Sequence, residues 1–240
     1  MTITVISKHL PAVWGHVGYP AGDSLLELLH LVESARYHLH RFELLTHGKD
    51  KAPSDFEPGI DVPRKELNHY WLFMTAWIEL ESFLFSGKQF LDRAWRCLGE
   101  SVGCGAENIA TLPKAINTLS AKVKDKEVAN LLTQRPYFVT LVEAWNEWGQ
   151  ELAGIRNYVE HHASFGGLAL AHGATITEGE NIAHLYLPDE SPQWMENPPK
   201  RTFTFEKRRS ALVYLRNRMN DIDHLVVKLM AVNEPLFYSR

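Results

Sequence analysis

Residues 70–85 read Tyr-Trp-Leu-Phe-Met-Thr-Ala-Trp-Ile-Glu-Leu-Glu-Ser-Phe-Leu-Phe, apolar or aromatic nearly all the way round a helix. Such a helix sits at the centre of a helical fold, or lays one side in a dimer interface. The pattern opens at Pro63 and predicts a helix to about Leu98. Before it, Asp23-Ser24 offers an N-cap to a run in which Leu25, Leu28, Leu29, Val32, Ala35, Leu39 and Phe42 recur at helical spacing, ended by Gly48. Residues 49–62, with Pro53, Pro58 and Gly59, read as a loop.

Downstream, Gly103 and Gly105 interrupt the chain, and two short helices are predicted over 112–123 and 125–134. Pro136 then opens a long helix, since its missing N–H costs nothing in a first turn. Its buried stripe is Phe138, Leu141, Val142, Trp145, Trp148, Leu152, Ile155 and Val159, and Gly166-Gly167 ends it. There the period changes. Leu168–Leu170, Thr175–Thr177 and Ala183–Leu187 alternate like strands, with Gly179 between the last two. A Pro-rich loop (188–199) and a short strand at Thr202–Phe205 lead into a last helix over 206–232. The expected fold is mainly α: one domain over 1–240, an up-and-down helical bundle with a β-hairpin insertion at 168–205 before its last helix.

Composition bounds the function. At 240 residues, with 45% hydrophobic and 22% charged residues, the chain can bury a sizeable core, and a net charge of −4 argues against a surface that is basic throughout. Cys97 and Cys104 are its two cysteines, too few for a disulfide framework or a cysteine zinc cluster. The start, MTITVISKHLPAVWG, has no basic head followed by an apolar core, and no membrane-length apolar run follows. The expectation is a cytoplasmic protein without a membrane span. No GxSxG, phosphate-cradling Gly-Lys loop or dinucleotide fingerprint occurs, and no cofactor is expected.

Chemistry concentrates in Arg156-Asn157-Tyr158-Val159-Glu160-His161-His162, at the end of the Pro136 helix. With 13 arginines and 12 histidines in the chain, Arg-x4-His arises by accident roughly 0.65 times. The Asn directly after the Arg and the place near a helix end make the match far rarer. On a helical wheel Arg156 lies about 50° from the centre of the buried stripe, where a guanidinium needs a partner or a cleft. Asn157 and His161 share a face. His162, nearer the core stripe, competes for the histidine role. A plainer reading has Arg156 pairing with Glu160 while the histidines complement the helix dipole.

A long α-bundle, Arg-Asn-x3-His near the end of the penultimate helix, a variable connection and a final helix together resemble the HEPN superfamily (higher eukaryotes and prokaryotes nucleotide-binding). Arg156, Asn157 and His161 fit its Arg, polar residue and His position by position, and His162 also falls within the spacing. The resemblance covers roughly 23–163 and 206–232; the hairpin insertion and the long second helix depart from it. It implies a metal-independent ribonuclease of a toxin or defence system. Histidine would move protons at the ribose 2′-OH or the leaving oxygen, and arginine would stabilise charge on the phosphate. It also implies a homodimer with the motifs face to face, RNA as substrate and a cognate antitoxin protein. Lys200, Arg201, Lys207, Arg208 and Arg209, in the most basic segment, are the candidate RNA contacts.

The alternatives are a non-catalytic helical binding protein with a structural Arg-His motif, and a histidine-based metal-binding bundle. For the latter, His38, His40, His69, His161 and His162 would have to converge. Glu27/His30, Glu66/His69 and Asp221/His224 have the acidic-x-x-His spacing of di-iron bundles but not their order along the helices, so surface ion pairs are the better explanation and no metal is expected. Glu79 and Glu81, inside the apolar helix, need partners, for which Arg156 is a candidate.

Overall fold

The computed structural model describes residues 21–47, 53–55, 57, 67–102, 106–122, 126–162, 172–177, 180–191 and 204–232. The side chains of 21–25, 67–69, 101–102, 107, 120–122, 128, 158–162 and 172–184 lie outside that description. The fold is mainly α, a helical bundle with a small β-hairpin ahead of its last helix. Its helices are α1 (Ala21–Thr46), α2 (Leu67–Val102), α3 (Leu112–Lys122), α4 (Lys126–Gln134), α5 (Pro136–Ala144), α6 (Gln150–His162) and α7 (Ala211–Ala231). The strands are β1 (His172–Thr177), β2 (Glu180–Leu187) and β3 (Arg209–Ser210).

Residue contacts gather into two compact units: 1–32 with 89–147 and 223–240, and 33–88 with 148–222. In the first, Leu28, Val32, Phe90, Trp95, Leu98, Leu112, Leu141, Leu225 and Leu229 are buried. The Trp95 indole N–H donates to the carbonyl of Ile109 (2.7 Å), and its ring meets Phe138 edge-on at 5.5 Å. That hydrogen bond is what allows the largest core side chain to be fully buried. Cys97 sits in the same core, and burial pushes its thiol up to about 12, which leaves it unreactive.

The second unit buries Phe42, Leu45, Leu72, Ala76, Trp77, Leu80, Phe83 and Leu84 from α1 and α2. Leu152, Ile155, Leu187, Leu215, Met219 and Ile222 come from α6, β2 and α7. Gly87 lets them close up: a Cβ there would stand 3.1 Å from a Leu152 methyl carbon and 3.4 Å from one of Ile222.

Several boundaries differ from the expectations. Helix α1 starts at Ala21, ahead of Asp23-Ser24, and ends at Thr46, whose hydroxyl donates to the carbonyls of Phe42 and Glu43. Pro136 opens α5 as expected, behind an extended Arg135. The long helix that it starts is interrupted by a π turn, Trp145–Gly149, an extra residue per turn that no apolar period announces. The expected landmarks at Gly48, Pro63, Gly103, Gly105, Gly166-Gly167 and 168–170 lie outside the described residues.

The hairpin forms where the alternating pattern puts it. β1 and β2 pair antiparallel from His172–Leu185 to Thr177–Glu180. Residues 204–210 are a correction: Thr204 and Phe205 are not strand, and α7 starts at Ala211, not 206. Asp189 takes the Thr204 hydroxyl and the backbone N–H groups of Glu206 and Lys207, folding them into a turn. Arg208 then adopts φ 46°, outside helical space, and Arg209-Ser210 pair with Leu187 and Tyr186 as a third strand.

Candidate functional site

In the second unit, α6 ends at His162 and carries the motif on its last turns. Leu152, Ala153 and Ile155 are buried, whereas Arg156 and Asn157 are half-buried, at the flank of the apolar stripe. The guanidinium of Arg156 lies over the Phe85 ring of α2, 5.3 Å from its centroid, and its Nη1 donates to Asn157 Oδ1 (3.1 Å). Ring and amide thus hold the planar guanidinium in one pose. Phe85 is 44% exposed, so the planar cation stands at a surface with apolar character. The structure brings Arg156 and Asn157 together; the side chains of His161 and His162 lie outside the described residues.

Glu79 is buried and belongs to a different cluster. Its Oε2 is 2.7 Å from His38 Nδ1 and its Oε1 3.7 Å from Arg41 Nε. Tyr37 meets the His38 ring edge-on at 5.3 Å. Sequence reasoning had both Glu79 and His38 but not the pair, because they lie 41 residues apart on two helices. The available signal was the antiparallel register of α1 and α2, along which Ser34 and Ser86 also meet at 2.9 Å. Glu81 accepts from the Trp77 indole N–H (2.5 Å). Burial pushes its carboxyl above the usual range, against the lowering effect of that hydrogen bond.

The candidate RNA contacts separate. Lys207 and Arg208 are exposed. Arg209 is instead a clamp: its Nη1 donates to Pro188 O and Ser191 Oγ (2.9 Å each), and its Nη2 to Glu151 Oε1 (2.7 Å). Ser191 donates to the same carboxylate. Arg209 therefore ties the end of the hairpin to the start of α6 and is not available as an RNA contact while the clamp is closed. Lys200 and Arg201 lie outside the described residues.

Nearby on α7, Tyr214 is buried under Arg218, whose guanidinium carbon is 5.3 Å from the ring centroid. Burial, then the Glu151 carboxylate, push its hydroxyl above the ordinary tyrosine range.

In two of the three acidic-x-x-His pairs the acid meets an arginine. Glu27 Oε2 is 2.7 Å from Arg93 Nε, and Asp221 Oδ2 is 3.2 Å from Arg218 Nη2. Among the described residues no three His, Cys, Asp or Glu side chains gather as metal ligands. His40 is exposed, and the Glu66/His69 pair lies outside the described residues. No described helix is long and apolar enough to cross a membrane. No protein-family profile, curated protein or solved structure matches the chain.

Proposed function

We propose that this chain is a HEPN-type, metal-independent endoribonuclease of a toxin or defence system, acting in the cytoplasm as a homodimer through Arg156, Asn157, His161 and His162. What carries the reading is the guanidinium of Arg156, half-buried and held over Phe85 by its own neighbour Asn157, five residues before His161 on one helix. An arginine held in one plane suits bidentate binding of a phosphate. In this scheme one imidazole takes the proton of a ribose 2′-OH while the 2′-oxygen attacks phosphorus. The P–O5′ bond breaks, and a second imidazole (His162, or the motif of a second subunit) protonates the leaving oxygen. Arg156 stabilises the charge that grows on the phosphate oxygens.

Two further observations fit. Ile78 and Phe85, seven apart on one face of α2, are both exposed, and Phe85 lies under Arg156, where a second copy would cover them. Lys207 and Arg208, exposed near the hairpin, would add contacts to the RNA backbone. A cognate antitoxin protein is the expected regulator.

Incubation of the purified protein with RNA in EDTA tests this. The expected result is cleavage that leaves 2′,3′-cyclic phosphate ends and disappears in His161→Ala; a dimer that cleaves no RNA would sink the proposal. The second reading, a binding module, is favoured by one observation: Arg156 is satisfied within its own unit by Phe85 and Asn157, as a structural residue would be. Under it, Arg156→Ala lowers stability and no ribonuclease activity accompanies the wild type.

A further inference from the structure

Between α1 and α2 of the second unit stands a histidine paired as an acid/base group is paired. His38 Nδ1 is 2.7 Å from Oε2 of Glu79, and the buried Glu79 has Arg41 Nε 3.7 Å from its other oxygen. A carboxylate only accepts, so the proton of the neutral ring sits on Nδ1 and the lone pair on Nε2. Nε2 makes no hydrogen bond among the described residues, and the side chain is 23% exposed. The edge-on Tyr37 ring packs against the imidazole.

The helix register sets this ring beside the Arg156 motif. The Ser34 and Ser86 hydroxyls meet at 2.9 Å, and His38 meets Glu79, so the two helices run antiparallel. His38 lies one turn past Ser34 and Phe85 directly precedes Ser86, which puts His38 and Phe85 about 4–5 Å apart along the axes. In an antiparallel pair, the residue before each facing position turns to the same side on both helices. Those residues are Tyr37 on α1 and Ile78 and Phe85 on α2, and all three are exposed. Arg156 comes over Phe85 from α6. Phe85 is therefore a floor flanked by Arg156 on one side and by the Tyr37-His38 turn of α1 on the other.

We infer that His38 is the imidazole that takes the ribose 2′-OH proton in the cleavage proposed above, with Glu79 as its positioning residue; the inference rests on the ribonuclease reading. His38 Nε2 removes the proton as the 2′-oxygen bonds to phosphorus. The P–O5′ bond breaks, and His161 gives its proton to O5′. His38 ends as an imidazolium facing the Glu79 carboxylate, while Arg156 holds the phosphate oxygens.

Cleavage of RNA in EDTA by the full chain, with and without added imidazole, tests it. His38→Ala should lower kcat by about 10²–10⁴-fold with KM little changed, and imidazole should restore at least about tenfold of that loss while doing nothing for Arg156→Ala. His38→Gln, whose amide can still donate to Glu79 but takes no proton, should keep the wild-type urea midpoint and lose the same activity. A wild type that cleaves RNA and a His38→Gln that matches it overturn the inference and leave the ribonuclease reading standing. A loss in His38→Ala that imidazole does not relieve assigns His38 to the fold alone and overturns it as well. A wild type that cleaves no RNA overturns both.

Discussion

Helix α6 involves two arginines, one received from β3 and one of its own, and the two are used in different ways. At its start, Glu151 receives Arg209 from β3 at 2.7 Å, with Ser191 donating to the same oxygen. Midway along it, Arg156 lies over the Phe85 ring and donates to the Asn157 amide oxygen. The first arrangement cancels a cation to fasten the hairpin to the bundle. The second holds a cation against a ring face and an amide. By sequence both arginines are candidates for a phosphate; only the group that meets each one tells them apart.

The largest test of this contrast is at the motif. His161→Ala and Arg156→Ala should each reduce RNA cleavage by about 10²–10⁴-fold while shifting urea unfolding little, and Arg156→Lys should not restore activity because the planar fork is lost. Equal loss of cleavage and stability in Arg156→Ala would erase the distinction between the two arginines.

Next comes the clamp. Arg209→Met leaves the Glu151 carboxylate without its cation and should cost about 1–3 kcal/mol of unfolding free energy, read from urea midpoints. Its cleavage rate per folded molecule should match the wild type. A loss of RNA binding at unchanged stability would return Arg209 to the RNA-contact set.

A smaller effect is expected at Phe85. Phe85→Leu keeps the apolar contact but removes the ring face under Arg156, worth about 0.5–1 kcal/mol, so activity should fall up to about fivefold with the fold intact. An unchanged rate would mean that the ring does not position the guanidinium.

The smallest effect is a pH dependence in the turn that precedes Arg209. Exposed as it is, Asp189 incurs some desolvation that raises its pKa, but the hydrogen bonds from Thr204, Lys207 and Glu206 outweigh it and hold the carboxyl below the usual 3.8. A depressed folded value means stability that is present above 3.8 and lost as pH falls through the lowered value. Asp189→Asn should therefore be less stable than wild type at neutral pH, with the gap closing in strong acid. A gap that persists there would assign the turn to side-chain geometry alone.

Legibility followed chemical locality. Helices α3 and α4 lie within a residue or so of their expected limits, and Pro136 opens α5 as its ring requires, because these signals act within a turn or two of chain. The hairpin was legible for the same reason. The turn at 204–208 was not: its organiser, Asp189, stands 15 to 18 residues away, and local propensity read the segment as strand and helix. The π turn at Trp145–Gly149 escaped too, since the aromatic stripe runs through it without a break. At the site, the half-buried flank position of Arg156 followed from helical period alone. The Phe85 beneath it did not, and neither did the His38–Glu79 pair.

By itself, then, the sequence determined the helical class, most of the elements and which residues carry chemistry, because apolar period, proline and alternating strands are properties of neighbouring residues. Tertiary structure decided which charges meet. Glu79 went to His38 and Arg41, Glu151 to Arg209, and Glu27 to Arg93, whereas Arg156 came to rest over a ring. Those choices depend on the register between helices far apart in the chain, and a buried or half-buried charge settles on whichever partner that register brings within reach.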